Sequence, residues 1–316
     1  MNNYRLFLIT KYLLLLLCTA VMAVSCKQTP PSNNSGAKSK ARVSFKKVRG
    51  IAYTEVRREY DNHLGYNNYG YHLEPEWQIT FLSDDSVRIF SLVLQKFIVE
   101  PVIIDHDSVA TVAHSWLRVK KLTKDSILFQ VLYVANQKID DKSNIYMTLY
   151  SNDYIKNVLH TTADKLQTPP RRDSLYIKKK TEASIANINK AFAATEPANL
   201  ISNNPNVTVT KKNVTKAIAM ENVTLADNYL SPTFTVTIHK AYNTFNYSMQ
   251  VIADEKGKLH FVKSMTYIPD DVDARLKVMK GVVDGYLTVY LITKPGTTLG
   301  IAHPSRILVR VIGIED

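Results

Sequence analysis

Three copies of an Asp-Ser-aliphatic triplet, at Asp85-Ser86-Val87, Asp107-Ser108-Val109 and Asp125-Ser126-Ile127, constrain the fold more than any other feature of this chain. Asp and Ser side chains bond nearby backbone groups and favour turns. Each copy leads at once into a run of strand-forming residues. Their spacing of roughly 20 residues equals two strands, which predicts an up-and-down antiparallel meander. A fourth match, Asp173-Ser174-Leu175, falls off the spacing. Residues 126–135, SILFQVLYVA, are apolar on both faces: Ile127, Phe129, Val131 and Tyr133 on one, Leu128, Leu132 and Val134 on the other. Such a strand is central or covered on both sides. SNIYMTLYS alternates, and WQITFL, SVRIFSLVL, SVATVA and WLRVKKL are further strands. A set of roughly seven to nine strands closes as a barrel or packs as a sandwich, and a barrel of this size holds one small apolar ligand. A short helix over 152–166 closes the segment, which spans 43–165.

Pro169-Pro170 breaks the chain, and residues 166–200 read as a linker. TEASIANINKAFAAT repeats Ile185, Ile188 and Phe192 at helical spacing, which places a short amphipathic helix there, ended before Pro197. In 201–316 the stretches TFTVTIHKAY and YSMQVIADEKGKLHFVKSMTYI read as three strands, the last two joined by a turn at Glu255-Lys256-Gly257. DDVDARLKVMKG reads as a helix capped by Asp270 or Asp271, with Val272, Leu276 and Met279 on one face and Gly281 as a left-handed stop. GYLTVYLITK and SRILVRVIG read as closing strands. The whole is mainly β with minor α: an antiparallel meander followed by a smaller α+β or sandwich-like domain. Asn-Val-Thr triplets at Asn206, Asn213 and Asn222 read as strand sequence with β-branched residues rather than glycan acceptors, a choice that depends on the N-terminal stretch described next.

Arg5 and Lys11 precede an apolar stretch over 12–24, and Ala23-Val24-Ser25 sets small residues before Cys26. The stretch is shorter than the roughly 20 residues of a membrane helix and has the length of a secretory signal core. The small tripeptide before cysteine resembles the lipobox of bacterial lipoproteins, with Ala23 where that pattern usually has Leu. The resemblance implies a signal peptide over 1–25, cleavage before Cys26, a diacylglycerol on its sulfur and a palmitate-type acyl chain on the new amino terminus. Two or more acyl chains suffice for stable anchoring. Lys27 instead of Asp after the cysteine implies the outer membrane, with the periplasmic face favoured. Residues 26–42, rich in Pro, Ser, Asn and Lys, read as a lipidated tether.

Only two cysteines are present, and Cys18 leaves with the signal, so the mature chain has no disulfide and no cysteine metal site. Loss of Arg5 and Lys11 takes the formal charge from +12 to +10. That balance favours anionic lipid headgroups or glycans. Nucleic acid is not an expected partner of an exported lipoprotein. The basic pairs Lys46-Lys47, Lys120-Lys121 and Arg171-Arg172 and the run Lys178-Lys179-Lys180 are scattered and read as solvated surface.

The most unusual stretch is EYDNHLGYNNYGYHLEPEW, which sets Tyr60, Tyr66, Tyr69, Tyr71 and Trp77 among Asn, Gly and His. Rigid amphipathic rings with short polar neighbours suit binding of a sugar or a protein surface. The plainer reading is a hairpin whose tyrosines cap the barrel, with Gly65 and Gly70 in turns. His63 and His72 with Asp61 and Glu74 match no metal-ligand spacing, and Asp270, Asp271 and Asp273 lack the glycine and distal Glu of a calcium loop. No cofactor is expected. No nucleophile elbow, zinc-protease, phosphate-loop or dinucleotide motif occurs. Glu74, Glu76 and Glu100 are available as paired carboxylates for hydrolysis of an envelope polysaccharide, and His303 as a base or ligand, but no pattern selects them. The chain therefore reads as a non-enzymatic envelope component that binds or scaffolds another protein. The alternative is a receptor or carrier for a small ligand, glycan or lipid.

Overall fold

The computed structural model describes residues 42–135, 138–214, 226–267 and 271–315. The signal stretch, Cys26, the tether up to residue 41, Thr215 of the triplet at Asn213, the triplet at Asn222 and Asp270 lie outside the described residues. The chain is mainly β. Eight strands, β1 Ala52–Tyr60, β2 Gln78–Phe81, β3 Ser86–Ser91, β4 Lys96–His106, β5 Val109–Val112, β6 Ser115–Leu122, β7 Ser126–Ala135 and β8 Lys138–Ser151, form a closed barrel. Each runs antiparallel to the next, and β8 returns to β1. Closure leaves this sheet without an edge.

The Asp-Ser triplets precede β3, β5 and β7, so all three turns lie at one end of the barrel. The Asp carbonyls at that end accept cross-links: Val102 N–H to Asp85 O at 2.8 Å, Val43 N–H to Asp107 O at 2.6 Å, Ser151 N–H to Asp125 O at 2.9 Å. A plug closes the same end. Phe45 and Val48 are fully buried, and the Phe45 ring stacks on Phe81 at 4.0 Å. Asp84 fixes the plug by accepting from Phe45 N–H at 2.6 Å. Tyr53, Phe81, Val87, Leu117, Phe129, Met147 and Leu149 fill the interior below it.

Two readings of this half are corrected. KFIVEPVIIDH is an 11-residue strand that sequence reasoning passed over, because Pro101 sits inside it. SVRIFSLVL is a strand only to Ser91, and the chain then turns at 92–95 into β4. In β7 a bulge between Val131 and Tyr133 flips the alternation, so Leu132 is buried and Tyr133 is exposed, the reverse of simple period-two counting.

Helices α1 Asn152–Asn157 and α2 Ala163–Gln167 follow β8. The Ser151 hydroxyl caps α1 from Tyr154 N–H at 3.2 Å. Helix α3 spans Arg171–Ala186, starting directly after Pro170. This corrects the helix expected farther on. Ile185 is exposed, Ile188 lies in a short 3₁₀ turn, and Phe192 is buried in extended chain. The buried face of α3 is Asp173, Ile177, Thr181 and Ser184, too polar to register as an apolar stripe.

The remaining chain forms β9 Asn199–Ser202, β10 Val207–Lys212, helix α4 Asp227–Leu230, β11 Thr233–His239, β12 Phe245–Ala253, β13 Leu259–Ser264, helix α5 Val272–Gly281, β14 Leu291–Lys294, β15 Thr297–Thr298, β16 Ile301–Ala302 and β17 Ser305–Ile314. Five of these strands build one sheet in the order β10-β11-β17-β12-β13, with β11 and β17 parallel and the other pairs antiparallel. Alternation fixes its buried face: Phe234, Val236 and Ile238 from β11, Ile307, Val309 and Val311 from β17. Helix α5 and its continuation cover that face with Met279, Val282, Val283 and Leu287.

Gly281 does not stop the helix. Its φ is −60°, and the helix continues through a π-helical stretch, Val282–Leu287, to Tyr290. GYLTVYLITK is therefore strand only from Leu291. Asp271 stands at the N-cap, with φ +48° and no side-chain capping bond. The turn at Glu255-Lys256-Gly257 holds: Gly257 has φ +83°, and the Asp254 carboxylate accepts from Lys256 and Lys258 N–H at 2.9 and 2.8 Å. Residues 42–316 form one compact unit.

Candidate functional site

The tyrosine-rich stretch is an excursion between β1 and β2 at the barrel end opposite the plug. Its base is organised from inside the barrel. Glu55 and Arg58 stand opposite Leu149 and Met147, both interior residues, and so lie on the inner face. The fully buried Glu55 carboxylate accepts from Arg58 Nε and NH2 at 2.8 and 2.7 Å, and from Glu76 and Trp77 N–H at 2.9 and 3.0 Å. Burial opposes the Arg58 charge, but the bonds to Glu55 outweigh it and raise the pKa. Glu55 thereby ties the return of the excursion to β1.

Above this latch each tyrosine has a different environment. Tyr60 faces inward opposite Ile145, and burial, then the nearby Tyr71, raise its phenol pKa. Tyr66 is only 2% exposed, stacks on His72 at 4.3 Å and packs with Ile177 and Phe192. Tyr69 is 78% exposed, while its carbonyl accepts from Ala193 N–H at 2.9 Å. Asn67 accepts from Tyr69 and Tyr71 N–H at 2.8 and 3.0 Å. Trp77 packs against the barrel interior. Gly70 has φ +90°, and a Cβ there would stand 2.3 Å from Ala193 O, so no other residue fits.

The excursion therefore docks on α3 and the chain after it. Asp173, fully buried, receives Arg57 NH1 at 2.8 Å and Gly65 N–H at 3.2 Å. Of the five aromatic residues singled out in the sequence, Tyr60 and Tyr71 stay together, joined by Tyr229, whose hydroxyl accepts from His72 N–H at 3.1 Å. Burial pushes the Tyr229 phenol up to about 12. Tyr66 is core, Trp77 is partly buried against the barrel core, and Tyr69 points to solvent.

The other candidate groups are dispersed. His63 bonds Glu59 at 2.8 Å; His72 lies 3.7 Å from Glu74 and holds its carboxyl below the usual range. Glu76 sits beside Arg58, and Glu100 pairs with His114 at 2.9 Å. Among the described residues no group of three His, Cys, Asp or Glu side chains could hold a metal ion. His303 is fully buried between Phe192, stacked at 3.8 Å, and two bonds: Nε2 to Thr298 Oγ1 at 2.9 Å and Nδ1 to Pro304 O at 3.1 Å. A carbonyl only accepts, so Nδ1 carries the proton and Nε2 receives the Thr298 hydroxyl. Burial, and then Lys180, push its pKa down to about 4. His303 is a neutral structural histidine closed to any substrate.

What sequence reasoning missed is the outer face of β4. Val102, Ile98 and Ile104 turn inward, leaving Phe97, Val99, Pro101 and Ile103 outside. Phe97, Val99 and Ile103 are exposed, as are Val93 and Leu94 at the hairpin tip. An open groove of about 520 Å³ adjoins Ile103 at the plugged end, lined also by Lys46, Arg49, Asp84 and Asp85. The signal was an apolar residue at nearly every position of KFIVEPVII, the mark of a strand covered on both sides. Comparison with protein-family models, with curated proteins and with solved structures finds no match to this chain.

Proposed function

We propose that this protein is a lipid-anchored component of the bacterial cell envelope, held by acyl chains on Cys26, which works by binding or scaffolding another protein. Its place is the outer membrane, on the periplasmic face. The observation that carries this reading is where the large side chains go. The barrel interior is packed with the chain's own residues, plugged by Phe45 at one end and crossed by the Glu55–Arg58 pair toward the other. The apolar groups left for recognition lie on outer surfaces: Phe97 and Val99 on the barrel, and Val262, Met265 and Tyr267 along and beyond β13 at the margin of the second sheet.

Gentle detergent extraction of the native protein, with mass spectrometry of what stays bound, tests the reading. A stoichiometric protein partner is expected. Retained lipid or glycan without protein would instead make this a carrier, with Tyr60, Tyr71 and Tyr229 the first residues to probe. The anchor has its own test: Cys26→Ser releases the protein from the membrane fraction, and a variant that still pellets with membranes refutes lipidation as the tie.

A further inference from the structure

We infer that the outer face of the second sheet, β10-β11-β17-β12-β13, binds an acidic polysaccharide laid across its strands. This goes beyond the scaffold reading and stands without it, because neither Cys26 nor a protein partner enters the argument. Alternation sets the face: where Val236, Val309 and Val251 turn inward to the core under α5, their neighbours turn out. Register then sorts the outward residues into rows. One row runs Lys212, Thr233, Leu308, Gln250, Lys263 straight across all five strands. The next holds Thr210, Thr235, Arg310 and Ser248, and the one after it Thr208, Thr237, Ile312 and Asn246. Arg306 stands on the other side of Leu308 along β17.

Three observations select the occupant. The first is charge. None of the five strands contains Asp or Glu, whereas an ordinary solvated face mixes both signs. The described carboxylates that flank the strands lie beyond their ends. Asp227 is in α4, Asp254 and Glu255 are in the β12–β13 turn, and Glu315 follows β17. Asp254 is bonded to His260 at 2.8 Å, and Glu315 accepts from Thr244 N–H at 2.9 Å. Between described residues the Lys and Arg ion pairs are those of Arg57, Arg58 and Arg172, so Lys212, Lys263, Arg306 and Arg310 have no carboxylate partner there. Arg306 and Arg310 bond neutral oxygens, the Asn189 carbonyl at 3.1 Å and Asn246 Oδ1 at 3.0 Å. The second is spacing. Strands lie about 4.8 Å apart, so Lys212 and Lys263 stand roughly 19 Å apart with the arginines' strand midway. A cation about every 10 Å matches a polymer with an acid on every second sugar, and is sparse for nucleic acid, with a phosphate every ~3.4 Å of strand. The third is side-chain type. The three rows hold no aromatic ring on which bases would stack. Their apolar members, Leu308 and Ile312, are half-buried, so no large apolar anchor of the kind that dominates protein interfaces stands out. Thr, Ser, Asn and Gln fill the other positions, with hydroxyls and amides that match those of sugars.

The full chain in detergent is titrated with fluorescent hyaluronate oligosaccharide, which has one carboxylate per disaccharide, and with dextran as the neutral probe. Hyaluronate should bind and dextran should not. Lys212→Gln, Lys263→Gln and Arg310→Gln together should weaken hyaluronate binding at least about tenfold, from three exposed charge contacts of a few-fold each. Arg171→Gln, Lys178→Gln and Lys179→Gln on the exposed surface of α3 remove the same charge. They should change binding less than about twofold, as for remote charges screened by salt. Equal loss in the two triple variants overturns the face, since net charge alone then binds. Poly-glutamate or a single-stranded oligonucleotide that binds as tightly as hyaluronate overturns the polysaccharide as occupant. Should the sheet variant unfold, Thr208→Glu with Thr210→Glu, both at exposed positions of β10, adds opposing charge and should weaken binding alike. Unchanged binding in that folded variant overturns the face as well. No binding of hyaluronate by the folded wild-type chain refutes the proposal outright.

Discussion

Between about pH 6.5 and pH 4, acidification should destabilise this protein through His303. In the folded chain its imidazole is neutral with a pKa of about 4; unfolded, it returns to about 6.5. Between those values the unfolded chain binds the proton and the folded chain does not. The His303 penalty is therefore absent above pH ~6.5, grows as pH drops through that window, and levels off below about 4. A gap of that size corresponds to roughly 3 kcal/mol, a large share of the ~5–15 kcal/mol that holds a typical domain together. The physical cause is burial of the ring, stacked on Phe192, with Lys180 adding to it; the bond to the Pro304 carbonyl opposes the shift and is outweighed. The perturbation is His303→Gln, which cannot titrate. Urea unfolding of both proteins at several pH values from 7.5 to 4 reads the effect. The variant is less stable at neutral pH, because the stack on Phe192 is lost, but the gap should narrow by roughly 3 kcal/mol on acidification. Groups that the two proteins share cancel in the difference. Parallel pH profiles would refute the reasoning.

Two further outcomes follow from the base of the excursion. Glu55→Gln leaves the Arg58 guanidinium without its counter-charge on the inner face, and should cost about 3–5 kcal/mol in thermal or urea unfolding, as for other broken buried pairs; a loss under about 1 kcal/mol would mean that water already serves Arg58. Gly70→Ala forces a Cβ onto the Ala193 carbonyl and a left-handed φ onto alanine, so it should loosen the excursion from α3, by at least about 1–3 kcal/mol from backbone strain alone. Limited proteolysis would then cut within 61–77, whereas wild-type resistance at that site would show that the chain near Ala193 yields at little cost.

The antiparallel meander was legible because its punctuation is local, whereas its closure as a barrel rather than a sandwich depends on β8 meeting β1. Asp85, Asp107 and Asp125 mark turns by chemistry that acts within a few residues, and β17 and β11 alternate cleanly enough to show their buried faces. Where structure departs from the reading, the deciding forces are tertiary. Pro101 hides β4 because a missing N–H usually ends a strand, yet here its carbonyl still accepts from Ala113 N–H at 3.2 Å. Helix α3 buries Asp173, Thr181 and Ser184, which carry no apolar period. The β-branched run around Thr288 and Val289 looks like strand but continues α5. The tyrosine stretch was singled out by composition, and composition does not say that Tyr66 belongs to a core made by Ile177 and Phe192, more than a hundred positions away. The apolar outer face of β4 was the hardest to see, since a strand apolar on both sides is ordinarily covered.

The plug at Phe45 has a mechanical consequence. Any pull on the residues before Arg42 first meets the Val43–Asp107 bond and then the Phe45 ring seated under Asp84. Past those, it runs along the axis of β1, which is bonded on one side to β2 and on the other to β8. A strand drawn lengthwise between two antiparallel neighbours must break its ladder bonds together rather than one at a time. The barrel thus meets tension from its N-terminal side in shear, the direction in which a sheet resists force best.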